Sequence, residues 1–355
     1  MSHELYELKV QNISRETDDC VSVEFAVPDS LQDIFQYSQG QYISLEKELN
    51  GQLLRRSYSL CSAPFEKKWR IAVKEVHNGV FSCFVNQQLK IGDILSVQVP
   101  AGRFFTKLNP EQSKRYVFFA AGSGITPILG IIKQILKVEP ESSVLLFYGS
   151  QRTEQIIFLE ELLALKNLNK ERLALHFLLS REETEEELFH GRINAEKLKR
   201  FTQSIFKIED IDEFFMCGPE TMILELREQL QHMGVDPHHI HMELFGVQIQ
   251  KPKPHFNHAS DTEICLVRMT LDGRTFEFSL PFNTNNLLDA ALKQGANLPY
   301  ACKGGVCCTC KTKLVKGDVE MMVNYGLEAD EIENGYILSC QSFPKSSKIE
   351  VNFDK

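Results

Sequence analysis

The stretch Tyr116-Val117-Phe118-Phe119-Ala120-Ala121-Gly122-Ser123-Gly124-Ile125-Thr126-Pro127 sets an uninterrupted apolar run against a Gly-x-Gly loop. After it, Ile128, Ile131, Ile132, Ile135 and Leu136 recur at spacings of three and four, the period of a helix buried along one face. Three more apolar runs follow, Val144 to Tyr148, Leu173 to Leu179 and Phe214 to Cys217, with helical patterns between them. Continuous apolar strands alternating with helices describe a parallel sheet covered on both faces. Residues 112–245 are therefore expected to form an α/β domain.

Each run ends in a polar or glycine-containing motif. The first ends in Gly122-Ser123-Gly124, the second in Gly149-Ser150-Gln151-Arg152, the third in Ser180-Arg181 and the fourth in Cys217-Gly218-Pro219-Glu220. Open parallel sheets bind ligands outside the carboxyl ends of their strands. A Gly-x-Gly loop opening a helix can bring backbone N–H groups against a pyrophosphate, and the helix dipole adds attraction. Arg152, Arg181 and Arg192 lie beyond the second and third runs, where an adenosine ribose would sit. A 2′-phosphate is a dianion suited to guanidinium forks, whereas a free 2′-OH is usually read by an acid, so the arginines favour NADPH over NADH. The acidic run Glu182 to Glu187 weakens that potential unless it points away, and reads as a solvated loop.

Working towards the N-terminus, residues 1–107 are short alternating runs such as Tyr42 to Leu45, Trp69 to Val73 and Ile94 to Val99, broken by turn signals including Asn78-Gly79. Period-two alternation at this spacing predicts antiparallel strands in a small β-barrel. Arg56-Ser57-Tyr58-Ser59 falls on one such strand and Gly79-Val80-Phe81-Ser82 opens a helix. An aromatic ring beside an arginine can stack a flavin while the guanidinium takes its pyrophosphate; the same residues also suit an ordinary strand.

Towards the C-terminus, residues 246–261 contain Lys251-Pro252-Lys253-Pro254, which can continue neither a helix nor a central strand and reads as an extended tether. Alternation resumes with Ile264, Leu266, Arg268 and Thr270, and a short helix is expected over Leu287 to Lys293, so 262–355 forms a third domain. It carries five of the ten cysteines among Cys302 to Cys340, four of them spaced Cys302-x4-Cys307-x2-Cys310-x29-Cys340. Plant-type [2Fe–2S] ferredoxins use this local arrangement with a distant fourth cysteine, two thiolates serving each iron. Lys303-Gly304-Gly305-Val306 supplies small residues where backbone amides must approach sulfur. A structural zinc site would usually present two C-x2-C knuckles, and only Cys307 and Cys310 form one. Cys308 reads as a bystander, because using it would change the gaps to x5 and x1. The cysteines scattered singly along the chain read as small buried hydrophobes in a reducing compartment.

The chain has 355 residues, 48 acidic against 39 basic side chains and a formal net charge of −9. That balance argues against a broad nucleic-acid-binding surface. No window approaches the roughly 18 apolar residues of a membrane span, so a soluble cytoplasmic protein without membrane attachment is expected.

Together these motifs resemble the ferredoxin–NADP⁺ reductase superfamily over essentially the whole chain. Within it, the order of flavin, nucleotide and ferredoxin domains resembles the reductase components of multicomponent oxygenases. Arg55-Arg56 and the wording of Cys302 to Cys307 suit the branch that serves a di-iron epoxidase of aerobic phenylacetate degradation; steroid-hydroxylating, ring-hydroxylating and alkyl-oxidising systems share the domain order. The resemblance implies an FAD domain, an NADP domain and a β-grasp ferredoxin domain, with an oxygenase as electron acceptor. It further implies that Arg56, Ser57, Tyr58, Ser59, Gly79, Val80, Phe81 and Ser82 hold FAD. Gly122, Ser123, Gly124, Thr126, Arg152, Ser180, Arg181, Arg192, Cys217, Gly218 and Pro219 would hold the nucleotide. Phe245 would cover the flavin face, and Ser59, Cys217 and Glu243 would sit at the reacting atoms. Cys302, Cys307, Cys310 and Cys340 would hold the cluster. A redox sensor, or a zinc-stabilised module joined to a flavin reductase, remains as a rival reading.

Overall fold

The computed structural model describes residues 4–245, 264–296, 298–300 and 302–355, in two compact units, Met1–Phe245 and Gly246–Lys355. The tether read at Lys251-Pro252-Lys253-Pro254 lies outside the described residues.

The first unit opens with β1 (Leu5–Thr17), β2 (Cys20–Ala26), β3 (Tyr42–Leu49), β4 (Gln52–Ser59), β5 (Trp69–Lys74), α1 (Val80–Gln87) and β6 (Ile94–Gln98). The strands form one antiparallel sheet in the order β4-β3-β6-β1-β2-β5, and a bridge between Leu60 and Ile71 links the chain leaving β4 to β5. Alternation drives it: Leu8, Val10, Val21, Val23, Ile43, Leu45, Ile71, Val73, Leu95 and Val97 are buried on the inner face, with Phe81 and Val85 of α1 packed among them. The β3–β4 hairpin turns through Asn50 and Gly51, both at positive φ, the conformation a two-residue hairpin loop demands.

The chain continues through β7 (Arg115–Ala121), α2 (Ile125–Val138), β8 (Ser143–Ser150), α3 (Leu159–Leu168), β9 (Leu173–Leu179), α4 (Ala195–Ser204), β10 (Glu213–Gly218), α5 (Glu220–His232) and β11 (Ile240–Leu244). The sheet is wholly parallel, in the order β11-β10-β7-β8-β9. The order reverses between β7 and β10, which is where an open α/β sheet leaves a crevice for ligands. Four of these strands are the four apolar runs. The fifth, β11, is mostly half-buried and lies at the sheet edge, so a search for apolar runs passes over it.

The antiparallel and parallel sheets of this unit share a core. Cys20, Cys61, Ala72 and Phe104 from the first join Phe118, Ile128, Ile131, Ile132 and Phe215 from the second.

Near the start of β10, buried Glu213 takes Lys114 Nζ at 2.8 Å, with His241 Nε2 at 2.7 Å and His239 Nδ1 at 3.6 Å. Burial opposes its charge, but hydrogen bonds and charge from His241 and Lys114 outweigh that and pull its pKa from 4.5 to about 2. A carboxylate with a folded pKa below its unfolded value adds stability that is present above the unfolded value and lost as pH falls towards the folded one. The shift corresponds to about 3 kcal/mol at most. Glu213→Gln is expected to lower Tm at neutral pH and to flatten the loss of stability between pH 5 and pH 2. Parallel pH profiles for variant and wild type would contradict this.

The second unit contains β12 (Ile264–Leu271), β13 (Arg274–Pro281), α6 (Leu287–Lys293), β14 (Lys311–Lys316), β15 (Val319–Met321), α7 (Ala329–Glu333), β16 (Tyr336–Leu338), β17 (Ser342–Pro344) and β18 (Lys348–Asn352). Its main sheet runs β13-β12-β18-β14-β16, with β12 and β18 parallel and the other pairs antiparallel; β15 and β17 pair separately. Leu287, Leu288 and Ala291 of α6 share a core with Val267, Met269, Leu280, Ile349 and Val351. The helix starts where Asn286 Oδ1 accepts the Asp289 N–H at 2.7 Å. No helix among the described residues is long and apolar enough to cross a membrane.

Candidate functional site

Strand β4 carries Arg56, Ser57, Tyr58 and Ser59 opposite Leu45, Ser44, Ile43 and Tyr42 of β3. Arg55 turns inwards and binds Glu46 through Nε at 2.9 Å and Nη2 at 2.7 Å, whereas Arg56 is exposed and donates to the Arg55 carbonyl at 2.8 Å. Ser57 Oγ and Ser44 Oγ are 2.9 Å apart. The Tyr58 ring stands 6.0 Å from that of Phe81, and burial holds its phenol protonated far above neutrality. Gly79 caps α1, leaving the first amides of the helix pointing outward beside exposed Val80. Ser82 is engaged within that turn: its Oγ accepts the Val76 N–H at 3.1 Å and donates to the Gly79 carbonyl at 3.1 Å. Exposed Arg56 together with this helix start suits a pyrophosphate.

At the switch point, Gly122 to Gly124 make a single tight turn before α2. Thr126, buried in the first turn of α2, donates from Oγ1 to the Ser123 carbonyl at 3.0 Å. A Cβ on Gly124 would lie 2.0 Å from the Cys217 carbonyl oxygen, so only glycine lets this loop touch the end of β10. Cys217 stands opposite Ala120 of β7 on one side and Glu243 of β11 on the other. Burial, and then the Glu243 charge, push its thiol well up, so it is uncharged at neutral pH. Ser59 Oγ donates to Glu243 Oε2 at 3.0 Å, joining residues 184 positions apart from different sheets. Ser59, Cys217 and Glu243 thus converge, and exposed Phe245 follows Glu243 by two residues. Gly218 and Pro219 lead from β10 into α5, Pro219 standing at its N-cap.

The three arginines lie on adjacent segments. The Ser180 N–H donates to the Ser150 carbonyl at 3.1 Å and the Arg181 N–H to the Gln151 carbonyl at 2.9 Å, which lays the loop after β9 beside the one bearing Arg152. The Gly191 N–H donates to the Leu179 carbonyl at 2.8 Å, bringing the segment of Arg192 alongside. Glu182 is no free member of an acidic loop. Its two carboxylate oxygens accept the Thr153 N–H and Oγ1, each at 2.8 Å, and these bonds, with Arg152 nearby, lower its pKa. Thr153 follows the second strand-end motif by one residue, and no local sequence pattern pairs it with Glu182.

In the second unit the cluster loop curves tightly, with Lys303, Gly305 and Cys308 at positive φ. The sulfurs group in two pairs. Cys302 and Cys307 are linked by amide-to-sulfur hydrogen bonds at 3.4 Å in both directions, and buried Cys310 has the Cys340 side chain as its main electrostatic neighbour. The Gly304 amide and Thr309 Oγ1 add contacts of 3.2 Å to Cys302 and Cys307 respectively. Two thiolate pairs with amide donors around them suit two irons. The Cys308 sulfur instead lies 3.9 Å from the Val306 carbonyl oxygen, against Gly326. No disulfide joins any of the ten cysteines.

Comparison with known proteins agrees with this division. Residues 7–106 match an oxidoreductase FAD-binding domain, 118–228 an oxidoreductase NAD-binding domain and 269–345 a 2Fe-2S iron-sulfur cluster binding domain. The chain is 40% identical to one of the subunits of 1,2-phenylacetyl-CoA epoxidase of Escherichia coli (strain K12), over 98% of both chains. It is 32% identical to the ferredoxin reductase component of 3-ketosteroid-9-alpha-monooxygenase of Rhodococcus rhodochrous, over 98% of this chain and 96% of the relative. The crystal structure of phthalate dioxygenase reductase shares the fold, with a TM-score of 0.59 at 22% identity and 98% of each chain covered. The protein is an oxidoreductase that uses FAD, a nicotinamide nucleotide and a [2Fe–2S] cluster. It belongs to the ferredoxin–NADP⁺ reductase superfamily, among the reductases that carry a C-terminal [2Fe–2S] ferredoxin domain.

Proposed function

We propose that this chain oxidises NADPH and delivers electrons singly to a multicomponent oxygenase, a di-iron epoxidase acting on phenylacetyl-CoA. The observation that carries the chemistry is the meeting of Ser59, Cys217 and Glu243 at the switch point. The epoxidase as acceptor rests on 40% identity to the phenylacetyl-CoA epoxidase relative across the full length of both chains. FAD, held by the residues below, would supply the conversion between a hydride from the nucleotide and single electrons for the [2Fe–2S] cluster.

The residues supply position and charge. Arg56 and the amides at the start of α1, braced by Ser82, hold the flavin pyrophosphate, while Tyr58 and Phe245 flank the ring and Ser57 supports the strand. Gly122 and Ser123 take the nucleotide pyrophosphate. Thr126, Cys217, Gly218 and Pro219 shape the nicotinamide pocket, where Cys217 packs as an uncharged thiol. Ser59 donates to Glu243, and the pair offers a hydroxyl and a carboxylate at which a proton can be held. Arg152, Ser180, Arg181 and Arg192 suit a 2′-phosphate, since Glu182 is occupied by Thr153. Cys302 and Cys307 hold one iron, Cys310 and Cys340 the other.

On the same reading the domains span 1–107, 112–245 and 262–355, the first a closed β-barrel and the last a β-grasp. Ten cysteines with no disulfide among them fit a reducing cytoplasm. The test is reconstitution: kcat/KM for NADPH is expected to exceed that for NADH, and the reduced chain to support product formation by a phenylacetyl-CoA epoxidase. An NADH value equal or higher removes the NADPH assignment. Support of a steroid monooxygenase but not of the epoxidase moves the acceptor to that class.

A further inference from the structure

Four charged side chains outside this site join the flavin and nucleotide domains. Arg70 on β5 donates from Nη2 to Glu161 Oε2 of α3 at 2.6 Å. Lys133 of α2, its side chain only 8% exposed, contacts Glu161 Oε1 and lies 3.1 Å from Glu66 Oε1 and 3.2 Å from Glu66 Oε2. Glu66 belongs to the flavin side, in the turn Pro64–Glu66, and its Oε2 also accepts the Ala63 N–H at 2.6 Å. Two cations and two carboxylates therefore alternate across the boundary with their charges balanced. Isolated surface pairs contribute little, but a network with fixed, partly buried geometry gains directionality.

The backbone is bent to make this contact. Phe158, the residue before α3, sits at φ 63° and ψ 27°, the left-handed region that a bulky side chain rarely enters. The bend tucks its ring 5.1 Å beneath the Arg70 guanidinium and starts α3 so that Glu161 falls within reach of both cations.

Helix α2 connects this network to the reacting end. Thr126, Gly130 and Lys133 are spaced four and three, so they share one helix face. Thr126 closes the nicotinamide loop. A Cβ on Gly130 would lie 2.9 Å from the Ser62 carbonyl oxygen and 3.1 Å from that of Leu60, so the helix rests directly on the backbone just downstream of Ser59. One turn further on, Lys133 is pinned to Glu66 and Glu161.

We propose that Arg70, Glu161, Lys133 and Glu66 form a positioning latch that fixes the nicotinamide loop against the flavin strand, governing the rate of transfer between nicotinamide and flavin rather than the binding of either cofactor. This rests on the electron-transfer reading above. The test compares full-length wild type with Glu161→Gln, Glu66→Gln and Lys133→Arg. Glu161→Gln is expected to retain FAD and to half-saturate at a similar NADPH concentration, while its limiting rate of flavin reduction falls about 10- to 100-fold, the scale of an ångström misplacement. Lys133→Arg keeps the charge and is expected to keep most of the rate. In FAD-free protein, amide hydrogen exchange over residues 60–63 and 126–134 is expected to quicken in Glu161→Gln. Should Glu161→Gln fail to accumulate, Glu66→Gln, on the flavin side of the same network, decides the same comparison. Gln variants that bind FAD and reduce it at the wild-type rate overturn the latch. A wild type that binds FAD yet is not reduced by NADPH or NADH overturns the electron-transfer reading instead.

Discussion

Cys340→Ser is expected to give a chain that stays yellow but loses its brown component. It should still pass electrons from NADPH to ferricyanide while delivery to the oxygenase falls to background. The reason lies in the pairing of the sulfurs. Cys302 and Cys307 each accept the other's amide on sulfur, and the Cys340 side chain acts on buried Cys310, so on the proposed ligand set each pair would serve one iron with no spare ligand. A hydroxyl is a poor substitute for a thiolate on iron, and removing one of four ligands opens the cluster. The flavin and nucleotide residues all lie in the other compact unit, with its own cores, so flavin reduction should survive. Cys308→Ser is the matched control. Its sulfur lies 3.9 Å from the Val306 carbonyl oxygen and against Gly326, and the x4 and x2 spacing leaves it out of the proposed ligand set, so cluster content, visible absorption and the paramagnetic signal of the reduced protein should match wild type. A Cys308→Ser protein without iron, or a Cys340→Ser protein that keeps it, would show that the ligand set is wrong.

A [2Fe–2S] domain was readable because three of the four cysteines proposed to hold the cluster are neighbours in sequence, where spacing alone carries the signal. The strand-end motifs were readable for a similar reason, since each combines a buried apolar run with residues directly after it. Contacts between distant segments were not. The Ser59–Glu243 hydrogen bond depends on β11 lying at the edge of the parallel sheet, and β11 is too short and too polar to announce itself. The engagement of Glu182 by Thr153 depends on two loops meeting after different strands. The latch depends on Phe158 taking a left-handed conformation with no glycine to signal it. Charge pairing needs the fold as well: Lys303 binds Asp289 at 2.8 Å and Lys311 binds Glu331 at 2.9 Å, partners 14 and 20 positions away. Sequence counts charges, whereas a docking partner meets only what the fold leaves uncompensated.

A single methyl group at Gly124 should cost more than most removals of a functional side chain. In Gly124→Ala the new Cβ would begin 2.0 Å from the Cys217 carbonyl oxygen, 2.4 Å from its carbonyl carbon and 2.8 Å from the Gly218 nitrogen. Every one of these is backbone. They belong to β10, which is held in register by β7 on one side and β11 on the other, so the strand end cannot yield as a flexible side chain would. The loop must lift instead, carrying Ser123 and Thr126 away from the crevice where the strand order reverses. Such a displacement is expected to lower kcat/KM for NADPH by about 100-fold or more. FAD content and the reduced-cluster signal obtained with dithionite should be unchanged, because the residues assigned to those two cofactors lie outside this loop. Gly122→Ala separates packing from backbone conformation. Gly122 sits at φ 54° with nothing within 4 Å of its would-be Cβ, so alanine there meets only the left-handed penalty of about 1–2 kcal/mol per residue. Because Gly122 is itself assigned to the nucleotide pyrophosphate, Gly122→Ala is expected to lower both stability and nucleotide turnover, the latter by less than Gly124→Ala. If the two variants rank the other way, backbone conformation rather than the contact with β10 is what the Gly-x-Gly loop protects.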